Sequence, residues 1–214
     1  MQKTSKILIY SSIIIVSSAI LIIAYRKTKG KSRFKRKAIR AAKKEWKIWN
    51  DPSAWHENSV VRYKDLKRYW DSIDWSESKW SPTGTAWSAA FMSYIVREGG
   101  AKDDFKYSSS HSKYIRDSIK NRKENSKNPF KGYRLNEKKI ELGDLICYSR
   151  ESETDLYNRT SSYMSHCDIV TKIDKKYVEV IGGNVSNGVT KKSVPIKNKI
   201  VQEGNKRFVV IKTK

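Results

Sequence analysis

Ser88 is the third residue of the run Ala86-Trp87-Ser88-Ala89-Ala90-Phe91-Met92-Ser93-Tyr94, just after the turn Ser81-Pro82-Thr83-Gly84. The spacing places Ser88 in the first turn of a helix. A hydroxyl there lies beside backbone N–H groups that have no intrahelical acceptor, at the positive end of the helix dipole. Such donors suit a developing oxyanion, so the pattern points to nucleophilic attack on a carbonyl. Three further segments belong with it. Gly143-Asp144-Leu145-Ile146-Cys147-Tyr148 and Ser165-His166-Cys167-Asp168-Ile169-Val170 read as neighbouring strands, with His166 at the mouth of the second. Val180-Ile181-Gly182-Gly183-Asn184-Val185 ends the next strand. Each piece also has an ordinary reading. Ser88 can be a helix cap, and Gly182-Gly183-Asn184 a turn. His111, within Ser-Ser-Ser-His-Ser, either starts a helix or lines a groove, and His56 lies among loop-like residues. Cys147 and Cys167 fall on strands expected to pair, as a disulfide or as two buried thiols. With three His, no suitable spacing and no CxxC pair, neither a metal site nor a cofactor is expected.

The elements that must position these residues follow from periodicity. Apolar residues at 34, 38, 41, 42, 46 and 49 predict an amphipathic helix with a basic outer face, ended by Asn50-Asp51-Pro52-Ser53. A second helix is expected over Val61 to Ile73. A third runs from Ala86 to Glu98, stopping at Gly99-Gly100, and a fourth from His111 to Ile119. Beyond Asn128-Pro129 the period becomes strand-like, with strands at Leu145 to Ser149, His166 to Ile173, Tyr177 to Ile181, Val189 to Val194 and Arg207 to Lys212. Glu151 to Ser165 reads as a long polar loop. Helices followed by an antiparallel meander imply an α+β fold with helices packed on one side of a sheet.

The order W-S-A-A-F…S-x-x-H-x-x-Y-I…G-D-L-I-C…H-C-D-I-V…I-G-G-N-V resembles a bacterial domain-of-unknown-function family, number 2272, itself similar to papain-like cell-wall amidases and peptidases of the NlpC and CHAP types. The resemblance covers about Phe34 to Val194 and implies a papain-like α+β core. It further implies a nucleophile at Ser88, a base at His166 and an orienting residue at Asn184, with Trp87, His111 and Gly183 lining the substrate groove. Those hydrolases carry Cys where this chain has Ser88. A thiolate exists before attack, whereas a hydroxyl must lose its proton during it. A hydroxyl nucleophile normally works with a His backed by a carboxylate. Asp168, two residues beyond His166 and on the same strand face, is the candidate for that charge.

The chain has 214 residues and a net charge of +23. Residues Ile7 to Tyr25 carry no charge, and nineteen residues of helix span roughly 28 Å, close to a bilayer core. Arg26 to Lys44 holds eleven Lys/Arg and no acid, and residues 1–44 supply +13 of the total. The expected organisation is a transmembrane anchor at 1–25, a basic juxtamembrane segment at 26–44 that meets anionic lipid headgroups, and a papain-like domain at 45–214. The bilayer is the partner expected for residues 7–25. The basic flank places the domain in the cytoplasm, whereas a peptidoglycan substrate requires the other side. No zinc-finger or RRM signature accompanies the charge, so nucleic acid is not an expected partner. Seven Trp and twelve Tyr exclude a disordered chain, and two Cys are too few for a disulfide scaffold. The expected function is hydrolysis of amide bonds in peptidoglycan peptides. The alternative is an inactive, membrane-tethered domain that binds cell-wall or other anionic polymer.

Overall fold

The computed structural model describes residues 33–51 and 60–213. Helix α1 covers 33–49. Its buried stripe of Phe34, Ala38, Ala42 and Trp49 follows the helical period, and Arg33, Arg36, Arg40, Lys43, Lys44 and Lys47 are exposed. The packed domain thus reaches into the basic segment, because Phe34 and Ala38 lie in the same core as the later helices. Helix α2 is Val60–Asp71, α3 is Ser88–Gly99 and α4 is His111–Lys123. Helix α3 ends as its glycines require. Gly100 takes a left-handed φ of 87°, its N–H bonds to the Arg97 carbonyl, and Ala101 N–H bonds to the Val96 carbonyl.

The strands are β1 (Lys131–Tyr133), β2 (Leu145–Ser149), β3 (Ser165–Ile173), β4 (Tyr177–Val185), β5 (Gly188–Lys197), β6 (Ile200–Val201) and β7 (Arg207–Lys212). They form one antiparallel sheet in the order β1-β7-β2-β3-β4-β5-β6. Strands β2 to β5 follow the expected meander and the short β6 extends it, whereas β7, expected as the last strand of the meander, returns to lie between β1 and β2. Alternation sorts the side chains into two layers. Leu145, Cys147, Ile169, Val209 and Ile211 join the large cluster built with the helices. Ile146, Val170, Val180 and Val210 form a second cluster with Leu135 and Ile140.

A buried ionic knot holds the helices together. Glu45 of α1 is fully buried and takes a bidentate pair from Arg68 of α2 at 3.0 and 3.1 Å. Tyr69 donates to the same carboxylate at 2.6 Å and accepts from Trp49 at 2.8 Å. On the other side of α1, Lys35 reaches Glu141 and Asp144, and Lys212 of β7 bonds Asp144 at 2.5 Å. Burial raises the Asp144 carboxyl above its usual range, against the pull of Lys212 and Lys35.

The transmembrane span expected at 7–25 lies outside the described residues, as does His56. Among the described residues no helix is long and apolar enough to cross a membrane. Helix α3, apolar over most of its surface, has twelve residues, about 18 Å of rise and well short of a bilayer core. Helix α1 is longer but carries a basic face. The transmembrane part of the expected fold, and with it the single-pass membrane localisation, is corrected on this finding. The structure supports an α+β domain with helices on an antiparallel sheet.

Candidate functional site

Ser88 is the first residue of α3 and 8% exposed. The first intrahelical hydrogen bond runs from Phe91 N–H to the Trp87 carbonyl at 2.9 Å, so the N–H groups of Ser88, Ala89 and Ala90 precede it. The helix is seated closely on β4. A Cβ at Gly183 would stand 2.4 Å from the Phe91 ring, so only glycine permits this approach.

His111 opens α4, and its Nε2 lies 2.7 Å from Ser88 Oγ. Its Nδ1 meets the hydroxyl of Tyr114, one turn along the same helix. The loop before α4 is tied to α3 by Ser93, whose hydroxyl donates to the Ser108 carbonyl and accepts from the Ser108 N–H, both at 3.1 Å. That double bond sets where α4 begins relative to Ser88. Burial, reinforced by His166 and Arg150, holds the His111 imidazole well below its ordinary value of 6.5, so the ring is neutral at pH 7. Burial, with Asp168 adding to it, raises the Tyr114 phenol well above 10. In the tautomer that donates Nδ1–H to Tyr114, the Nε2 lone pair faces the Ser88 hydroxyl.

His166 is fully buried on β3, with its ring centroid 4.9 Å from that of His111. Arg150 Nη2 donates to its Nδ1 at 3.0 Å, and its Nε2 lies 2.9 Å from Asp168 Oδ1. A guanidinium can only donate, so the ring proton sits on Nε2 and is given to Asp168. Burial works against the Asp168 carboxylate, but the hydrogen bond from His166, with the charges of Lys192 and Arg150, overcomes it and holds the carboxyl below its usual range. Gly182 makes room for the pair: a Cβ there would stand 1.8 Å from Asp168 Oδ1 and 2.9 Å from His166 Nε2. Cys147 and Cys167, opposite one another on β2 and β3, form a disulfide beside the pair.

The structure thus gathers Ser88, His111, His166 and Asp168 in one place. His111, not His166, bonds Ser88. Asp168, the candidate for the charge beside His166, bonds it, and both ring nitrogens of His166 are occupied. Asn184 takes a left-handed φ of 53° where the β4–β5 register shifts, between Gly182 and Val185. Trp87 is 1% exposed and stacks on Trp49 at 4.7 Å, and Gly183 is buried against Phe91. Both pack the core rather than line a groove. Sequence reading missed Tyr114 and Arg150. The i, i+3 spacing of His111 and Tyr114 on one helix was a usable signal for the first. Among the described residues no group of three or more His, Cys, Asp or Glu is arranged to hold a metal ion.

A family model described as an uncharacterised protein conserved in bacteria (DUF2272) matches residues 54–209. No curated protein and no solved structure matches the chain.

Proposed function

We propose that this chain, which belongs to the DUF2272 family of uncharacterised bacterial proteins, is an amide hydrolase of papain-like type with a serine nucleophile. The observation that carries the reading is the 2.7 Å contact between Ser88 Oγ at a helix N-terminus and a neutral, buried His111. Ser88 attacks the amide carbon as His111 Nε2 takes its proton. The N–H groups at the start of α3 receive the oxyanion. His111 then returns the proton to the leaving amine, and water, activated by the same ring, releases the acyl group. Tyr114, bonded to Nδ1, holds the His111 ring in place, and Asp168, held ionised, fixes His166 beside it. The order of helix serine, strand histidine and glycine-bearing next strand supports the likeness to NlpC- and CHAP-type enzymes, with His111 of α4 taking the role of base that the likeness gives to His166. That likeness favours peptides of peptidoglycan as the substrate class.

The near-complete burial of Ser88 and His111 favours a second reading, a domain that binds cell-wall polymer without cleaving it. One experiment separates the two. Purified muropeptides are incubated with the protein and with its Ser88→Ala variant. Hydrolysis that falls at least about 10³-fold in the variant supports the enzyme. Binding without product from either protein supports the second reading.

A further inference from the structure

Arg150 follows the last residue of β2 and is exposed. Its backbone N–H bonds to the Met164 carbonyl at 3.0 Å, which fixes it across the mouth of the β2–β3 pair. Its guanidinium spends one N–H on His166 Nδ1 and pairs with no carboxylate among the described residues. Arg62, Arg68, Arg122, Arg134 and Arg159 each meet an acid, and Arg116 and Arg207 bond backbone carbonyls, whereas Arg150 bonds a buried imidazole of the site. Lys192 of β5 stands over the same pair, 3.2 Å from the Tyr148 hydroxyl and 4.0 Å from Asp168 Oδ2. Two cations therefore surround a single carboxylate that already accepts a hydrogen bond from His166, and the site has one positive charge in excess.

We propose that Arg150 is the anchor for a carboxylate on the substrate, next to the amide that Ser88 attacks, so that the site selects acidic peptides. The proposal rests on the hydrolase reading for its placement beside a scissile bond. Its physical basis is separate. A guanidinium presents its remaining N–H groups in a planar fork that matches a carboxylate, and such bonds are charge-assisted. The bond to His166 holds the fork in one orientation before any ligand arrives, so little side-chain freedom remains to be lost on binding. Lys192 adds attraction from the neighbouring strand.

The test uses the full chain carrying Ser88→Ala, which separates binding from turnover. It is titrated calorimetrically with N-acetyl-alanyl-alanine bearing a free C-terminal carboxylate, and with the same peptide as its C-terminal amide. The acid is expected to bind about tenfold or more tightly than the amide. Adding Arg150→Gln should bring the acid down to the affinity of the amide measured in the same variant, and Arg150→Lys should restore part of the preference. Equal binding of acid and amide, a preference that survives Arg150→Gln, or no binding of either peptide overturns the proposal. Failure of the hydrolase reading looks different: the preference for the acid persists while the Ser88-bearing protein releases no product from muropeptides.

Discussion

At the scale of the residue, the chemistry depends on which histidine carries which proton. His111 is neutral because burial, His166 and Arg150 all disfavour its charged form. Its folded pKa lies below its unfolded value of about 6.5, so the unfolded chain takes up the proton first as pH falls. The resulting contribution to stability is intact above about pH 6.5 and is lost progressively below it. Asp168 has the same sign but acts only near and below the usual carboxylate range, and the raised Asp144 acts in the opposite sense at acid pH. Thermal melts between pH 7 and pH 5 should therefore show Tm falling with acidity, and His111→Gln, which has nothing to titrate, should flatten that slope. A slope unchanged in the variant would contradict the assignment. Ser88, His166, Asp168 and His111 were all legible as residue types in plausible positions. Their pairing was not, because whether His111 or His166 reaches Ser88 depends on where α4 starts. That position is set by the Ser93–Ser108 bonds between a helix and a loop, and no periodic pattern records them.

At the scale of the element, the strongest signals were apolar stripes. The stripe of α1 and the Gly99-Gly100 stop of α3 were visible in the sequence because each repeats a local rule. Strands β1 and β6, three and two residues long, are too short to show a period of two, and they exist because β7 and β5 supply their partners. Also invisible was the charged knot inside the helical layer. Glu45 reads as one more polar residue on a basic helix, yet it is fully buried and receives Arg68 and Tyr69. Removing Glu45 leaves the buried Tyr69 hydroxyl without its acceptor, whereas Arg68, 36% exposed, keeps water and its pair with Asp65. Glu45→Ala should therefore cost about 1–3 kcal/mol in urea unfolding, more than an exposed pair such as Lys67–Asp71 would contribute. A loss below about 1 kcal/mol would show that the knot is solvated.

At the scale of the molecule, the sheet and helices converge to bring two chain segments together at the start of α3. One is the α3–α4 pair, which delivers Ser88 and His111. The other is the β2–β3–β4 layer, which delivers Arg150, His166, Asp168 and the glycine that makes room for them. The disulfide ties two strands of that layer together beside the site. Of the charge of +23, the most conspicuous feature of the composition, Arg150 and Lys192 are the basic side chains that meet the His166–Asp168 pair among the described residues. The central claim is that this convergence makes Ser88 nucleophilic through His111. The most direct measurement is intact-mass detection of covalent labelling by an alkyl fluorophosphonate, with the modified residue located by peptide mapping. One adduct on Ser88 is expected in the unaltered protein, with labelling slowed at least about 10²-fold in a folded His111→Gln variant. An unlabelled Ser88, or labelling at the same rate without His111, would contradict it.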